Sequence, residues 1–319
     1  MPLTKAEGLL LSNDELLAHI IENDSSRIQL AERLPFFPIN GQELRVERAS
    51  ASDFGVDPLF DTVPVTVTEG KAVPTSSLEA KFELKLLMQD VIVNDFVQYN
   101  QSNVNSQLGV QLEAATRRML YKFWKSFGIG DTSVNSQEFS GVRKLTPAGQ
   151  LIQTNDTTNY ALDLIDLARL VAKVKANNGR AHVLWTNPLG YKNILKAHYD
   201  KQMEPQYIDV EVPDASGGFR TKRMLSFEGV PVYVDEFYPT NESVGTFSNG
   251  ISIYAMVLGR GGLYGIVPAS FGSEMIRSKE VLVAGSAQTT YRVYWPVSLV
   301  LEAEDAIARL QLRPMTGTT

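Results

Sequence analysis

The stretch Gly259-Arg260-Gly261-Gly262-Leu263-Tyr264-Gly265 is the one most like a ligand cradle. Glycines let backbone N–H groups close around a phosphate, provided a helix N-terminus follows to complete the anion site. Here Ile266-Val267-Pro268 follows instead, so the sequence predicts a tight connection between two parts of the chain. The three histidines, His19, His182 and His198, lie at no ligand spacing with one another. That argues against a metal centre or a serine triad and for surface or strand-end roles. Glu302-Ala303-Glu304-Asp305 lacks the alternating oxygens and the glycine of a calcium loop and is expected to be a solvated turn. Arg117, Arg118 and Lys122 form a basic group that fits an acidic partner surface better than plain solvation or DNA. Asn155-Asp156-Thr157 and Asn241-Glu242-Ser243 match the glycosylation pattern by chance, with no secretion signal before them. No catalytic, cofactor-binding or metal-binding constellation emerges, and no enzyme is expected.

Composition narrows the alternatives. With 44% hydrophobic and 21% charged residues over 319 positions, the chain can build a core and is too apolar for a disordered polymer. The absence of cysteine removes disulfides, thiolate zinc sites and a cysteine nucleophile, and leaves the redox compartment unread. The longest apolar stretch, Tyr294 to Leu301, is interrupted by Pro296 and Ser298, so nothing is expected to span a membrane. A net charge of -6 disfavours a grip on nucleic acid along a basic face, though it does not oppose enclosing nucleic acid.

Two elements stand out as positioning devices. Val104, Leu108, Leu112, Ala115, Met119 and Phe123 recur at helical spacing and predict a helix over 104–127. At about 1.5 Å per residue it is a rod some 36 Å long, closed by Gly128 and Gly130. Before it, Glu79 to Leu86 alternates charge with apolar residue, which predicts a strand with Phe82, Leu84 and Leu86 on one dry face. Upstream, residues 3 to 23 have a helix-compatible apolar pattern that ends at Leu34-Pro35-Phe36-Phe37-Pro38, an extended exit. From Ile39 to Glu83 the residues read as a long hairpin, with Leu44 to Arg48 and Val63 to Thr68 as strands. Its apolar content is too small for a core of its own, so it should lie on something else.

Downstream the pattern becomes α/β. Leu164, Leu167, Val171 and Val174 form a helical stripe stopped by Asn177-Asn178-Gly179. His182 to Trp185 is a buried strand, and Asn187-Pro188 opens a helix to about Tyr199. Residues 207–212 and 219–225 flank a turn containing Asp214, Gly217 and Gly218. Strands follow at 229–235, 251–258, within 274–301, and at 306–312.

In this order come a helical arm, a proline exit, a hairpin, an alternating strand, a long helix, Phe127-Gly128-Ile129-Gly130-Asp131 and Phe139-Ser140-Gly141-Val142. An α/β region follows with Phe227-Glu228-Gly229-Val230-Pro231-Val232 and Ser252-Ile253-Tyr254-Ala255-Met256. Over nearly its whole length the chain thus resembles the major capsid proteins of tailed double-stranded-DNA bacteriophages, the Hong Kong 97-type fold. The resemblance lies in the order and spacing of loose motifs. It implies an α+β fold with an N-terminal arm (1–36), an extended E-loop (37–84) and a peripheral domain (85–149) built on the spine helix 104–127. It further implies an axial domain (150–264), returning peripheral strands (265–300) and a last axial strand with the C-terminus (301–319).

The same resemblance assigns assembly roles. Arg45, Glu47, Lys71, Phe82, Leu84 and Leu86 belong to the E-loop and its base. Leu108, Leu112, Arg117, Arg118, Met119 and Phe123 belong to the spine helix. Asp214, Gly217, Gly218 and Arg220 belong to an axial loop facing a ring centre. It implies obligate pentamers and hexamers in an icosahedral shell around phage DNA, held without sequence-specific contacts and without cofactors. A portal and decoration proteins are implied partners, and because the chain runs from Met1 straight into the arm, a separate scaffolding protein, or none, is expected. The implied location is the virion, assembled in the host cytoplasm. Lys71 is a candidate for inter-subunit cross-linking, with no partner asparagine or acid matched to it. An encapsulin-type compartment shares the fold and is the alternative; a soluble α/β enzyme or ligand-binding protein is a third reading.

Overall fold

The computed structural model describes residues 30, 33–48, 78–94, 107–156, 159–213, 219–236, 238, 242–244, 247–271, 276–282 and 288–313. The predicted arm over 3–23, the strand at 63–68, Val104, Lys71, and Asp214, Gly217 and Gly218 lie outside them. In chain order the elements begin with β1 (Phe36–Ile39), β2 (Glu43–Arg48), β3 (Leu78–Glu83), β4 (Lys85–Asn94), α1 (Gln107–Ile129), α2 (Val142–Leu145) and β5 (Leu151–Gln153). Next come α3 (Leu164–Lys173), α4 (Ala176–Gly179), β6 (Val183–Thr186), α5 (Pro188–Asp200), β7 (Gln206–Pro213), β8 (Phe219–Phe227), β9 (Val230–Val234) and β10 (Glu242–Val244). The last are β11 (Phe247–Met256), β12 (Leu263–Pro268), β13 (Arg277–Leu282), β14 (Gln288–Leu301) and β15 (Ile307–Leu312).

Helix α1 forms where the stripe predicts it, with Leu112, Ala115, Met119 and Phe123 all buried. It continues two residues past the predicted end, because the Gly130 amide still donates to the Ser126 carbonyl (2.7 Å) and completes the last turn. Its apolar side lies on a five-stranded sheet of order β1-β12-β14-β13, with β4 along the rest of β14. Pro296 of β14 falls between Tyr294, the last residue paired with β13, and Ser298, the first paired with β12, so it pairs with neither strand.

An eight-stranded sheet, β5-β15-β11-β6-β9-β8-β7 with β10 on β11, makes the second layer. Helix α5 starts as predicted, the Asn187 side chain accepting from the Gly190 amide at 2.7 Å with proline at the first helical position. The stripe ending at Val174 differs from expectation. Helix α3 stops at Lys173 because the Lys175 amide leaves to pair with the Asp305 carbonyl (3.1 Å), and Gly179, at φ +75°, ends the separate turn α4.

One apolar core joins the two sheets through α1. Phe123 lies 4.6 Å from Trp295 of β14, and Phe127 meets Trp185 of β6 edge-on at 5.2 Å. The rod is therefore the beam on which both sheets are mounted. Among the described residues, no helix is long and apolar enough to cross a membrane.

Candidate assembly surfaces

The hairpin base forms as expected: β2 and β3 pair antiparallel from Glu43↔Glu83 to Arg48↔Leu78. Arg45 is exposed and paired with Glu43, its Nε donating to the carboxylate at 2.8 Å. Glu47 stands opposite Glu79. The single dry face expected for Phe82, Leu84 and Leu86 is corrected. Phe82 is buried and Leu84 half-buried in a cluster of this same chain with Tyr264, Ile266 and Val300, while Leu86 is 56% exposed. The cause is a change of partner at Leu84, whose amide donates to the Gln42 carbonyl (2.9 Å) just before the chain leaves β2. From Lys85 the strand pairs with β14 over ten residues, and there Trp295, Val293 and Tyr291 face the α1 side of the sheet.

Register with β14 then fixes the two faces of β4. Val91 is buried beside Tyr291, and Leu87 is half-buried beside Trp295. The alternate residues turn outward, leaving Leu86, Met88 and Ile92 at 56%, 51% and 57% exposure. Opposite them on β14 are Pro296, Tyr294 and Thr290. Asp90 and Arg292 cross the middle of this face as a bidentate pair, at 2.7 and 2.9 Å. The guanidinium holds the Asp90 carboxyl below its ordinary range.

On the polar side of α1, Arg117 bonds Glu113 one turn back (2.9 Å) and Lys122 reaches Glu138, so two of the three predicted basic residues have partners in their own chain. Arg118 is exposed. Leu108 lies in the first turn of α1, and Arg220 stands opposite Val212 at the far end of the β7–β8 hairpin.

The glycine-rich segment is a connection between the two sheets, and its cradle is filled. Gly259 and Gly261 have φ of +104° and +78°, and the Gly261 amide donates to the Glu302 carboxylate, whose other oxygen accepts from the Tyr264 hydroxyl at 2.7 Å. An internal carboxylate thus takes the place an anion would need. Two expectations change with it, since Glu302 is engaged rather than solvated, and His198 is buried. The His198 ring bonds the Ile194 carbonyl (2.9 Å) and lies 6.3 Å from Phe227. Among the described residues no three His, Asp or Glu side chains gather as a metal site would require.

Sequence reasoning missed a buried polar cluster around β10. Glu242, fully buried, accepts from Tyr238 (2.5 Å), Arg309 (2.6 Å) and Ser252, and Arg309 Nε donates on to Ser252 Oγ (3.0 Å). Burial, then the nearby Tyr254 and Glu242, pushes the Tyr238 phenol well above its ordinary pKa, so it remains a donor. Every group here has a partner inside the fold, which makes the cluster a lock holding β10 against β11 and β15.

No protein-family model and no curated protein matches the sequence. Solved structures do. The chain is similar to a chain of the holo-SrpI encapsulin complex from Synechococcus elongatus, at 17% identity over 91% of this chain and 89% of that one, with a TM-score of 0.68. Similarity to the capsid of a native GTA particle is 12% over 89% of each chain, with a TM-score of 0.55. For a chain of Microbacterium phage Oxtober96 it is 13% over 89% and 90%, with a TM-score of 0.53. The architecture is the mixed α and β arrangement of the Hong Kong 97-type capsid fold.

Proposed function

We propose that this chain is the major capsid protein of a tailed double-stranded-DNA bacteriophage, assembling through pentamers and hexamers into an icosahedral shell around the genome. The observation that carries the reading is the outer face of β4. Leu86, Met88 and Ile92 remain 56%, 51% and 57% exposed on a strand whose other face is core, although covering what is left of each would contribute about 1 kcal/mol. A second copy supplies that cover. Likeness over nine-tenths of the chain to shell structures supports the same reading. In it, α1 and the five-stranded sheet form the peripheral domain, the eight-stranded sheet the axial domain, and the β2–β3 hairpin the root of the E-loop. Its role is structural, not catalytic; scaffolding, portal and decoration proteins are its partners during assembly in the host cytoplasm. The net charge of -6 suits a wall that encloses DNA without gripping it.

A TM-score of 0.68 to the encapsulin complex, against 0.55 and 0.53 to the GTA capsid and the phage chain, favours a second reading, a nanocompartment with protein cargo. Particles purified from cells carrying the gene in its natural genomic setting, nuclease-treated and then opened, decide between them. Protected genome-length DNA is the expected content. A protein cargo without DNA overturns the phage reading in favour of the compartment, and failure to find particles contradicts both.

A further inference from the structure

The two ends of the eight-stranded sheet are chemically opposite. Its outermost strands among the described residues are β5 and β7. At the β5 end a groove of about 630 Å³ runs between that strand and α3, lined by Leu151, Gln153, Arg169, Ala172 and Lys173 among others. The charged residues lining it, Arg169 and Lys173, are both positive. Arg169 is held at the lip by Asn155 (2.5 Å) and by the fully buried Asp166 (3.3 Å), which fixes its head group while leaving the side chain 48% exposed.

At the opposite end, Tyr207, Asp209 and Glu211 of β7 are exposed, with Glu204 just before them, while Val210 between them is buried. Arg223 lies over the Tyr207 ring at 5.3 Å, and Arg33 donates to the Glu211 carbonyl at 2.5 Å. Arg223 of β8 also stands opposite Asp209, and Arg33 lines one pocket with Asp209 and Glu211, so the three carboxylates of this rim outnumber its two cations by one.

We propose that the acidic β7 edge of one copy docks on the cationic β5–α3 groove of the next copy in the ring, with Tyr207 against Leu151 at its centre. This rests on the shell reading above. There, the β7–β8 hairpin points to the ring centre, so the β7 edge runs radially and faces one neighbour while β5, at the far end of the sheet, faces the other. A contact between two different ends of one element is heterologous, so each copy uses both ends and the chain of contacts closes into a ring. Opposite charge at the two ends sets the direction of addition and repels the head-to-head and tail-to-tail pairings.

The cysteine-free chain makes the test clean. A Gln153→Cys/Asp209→Cys double variant, assembled and treated with a short bismaleimide, should give a ladder on a denaturing gel that ends at the ring size. Neither single variant should give one. Independently, Gln153→Glu/Lys173→Glu should lower shell yield at least tenfold, and adding Asp209→Lys/Glu211→Lys should restore it. Arg169 is left in place so that Asp166 keeps its partner. Normal shells from the charge-reversed variant, or double-cysteine shells that stay monomeric on the gel, overturn this contact and leave the shell reading standing. An unmodified chain that forms no oligomer overturns the shell reading and this contact together.

Discussion

The Gly141 amide donates to the Gly130 carbonyl at 2.8 Å, so the end of the long helix and the loop that follows it touch backbone to backbone. A Cβ at Gly130 would lie 2.3 Å from the Phe139 carbonyl oxygen, and one at Gly141 would lie 2.3 Å from that of Ser126. These two positions explain why the Phe-Gly-Ile-Gly-Asp and Phe-Ser-Gly-Val motifs carry glycine: the loop seats the buried Phe139 ring 5.4 Å from Phe123.

Alanine at either position is expected to destabilise the subunit by about 1–3 kcal/mol through overpacking, read from urea melts. Gly149→Ala is the control, since nothing lies within 4 Å of its Cβ position, and it should stay within about 0.5 kcal/mol of the parent. Equal effects at all three sites would refute the close-approach explanation.

The outer face of β4 separates folding from assembly. Replacing Leu86, Met88 and Ile92 together with glutamate leaves the buried face of β4 untouched and should keep a cooperative melt and the helix content of the parent. Particles should not form, because three charges would be buried in the contact. Normal particles from this variant would show that the face is not covered by a neighbour.

On the spine helix, Leu112→Asp places a charge in the core and should cost at least about 3 kcal/mol, whereas Arg118→Ala should fold normally and alter only the salt dependence of assembly. The reverse pattern in circular-dichroism melts would mean that the rod buries its other side.

In the lock around β10, Arg309→Met leaves the buried Glu242 carboxylate without its cation and is expected to cost about 3–5 kcal/mol. Adding Glu242→Gln should recover part of that loss, since a neutral amide no longer needs the guanidinium. A double variant less stable than the single would contradict the assignment of Glu242 as the charged member.

What the sequence made legible was local. The Asn187-Pro188 start of α5 and the apolar stripe of α1 depend on residues within one or two turns, and both appear where the residues place them. Asp163 and Asp166 carried a readable capping signal that went unread; their side chains close the first turn of α3. Other features depend on contacts distant in sequence. Leu86 faces water because β4 takes its register from β14, some 200 residues on, and period-2 alternation within 79–86 cannot report a change of partner. Glu302 fills the glycine turn from 41 positions away, and Glu242 meets Arg309 from 67 positions away, so neither pairing leaves a trace in local spacing. Of the proposed assembly residues, Phe82 and Leu84 were legible as apolar but not as belonging to their own subunit's core.

In the shell reading this subunit is incomplete alone. Size-exclusion chromatography with multi-angle light scattering, run on the full chain at physiological salt with and without a co-expressed scaffolding protein, tests it most directly. A megadalton species is expected in at least one of these conditions, resolved as closed shells by negative-stain microscopy. A cooperatively folded species of 35.3 kDa, the mass of one chain, in every condition would contradict it.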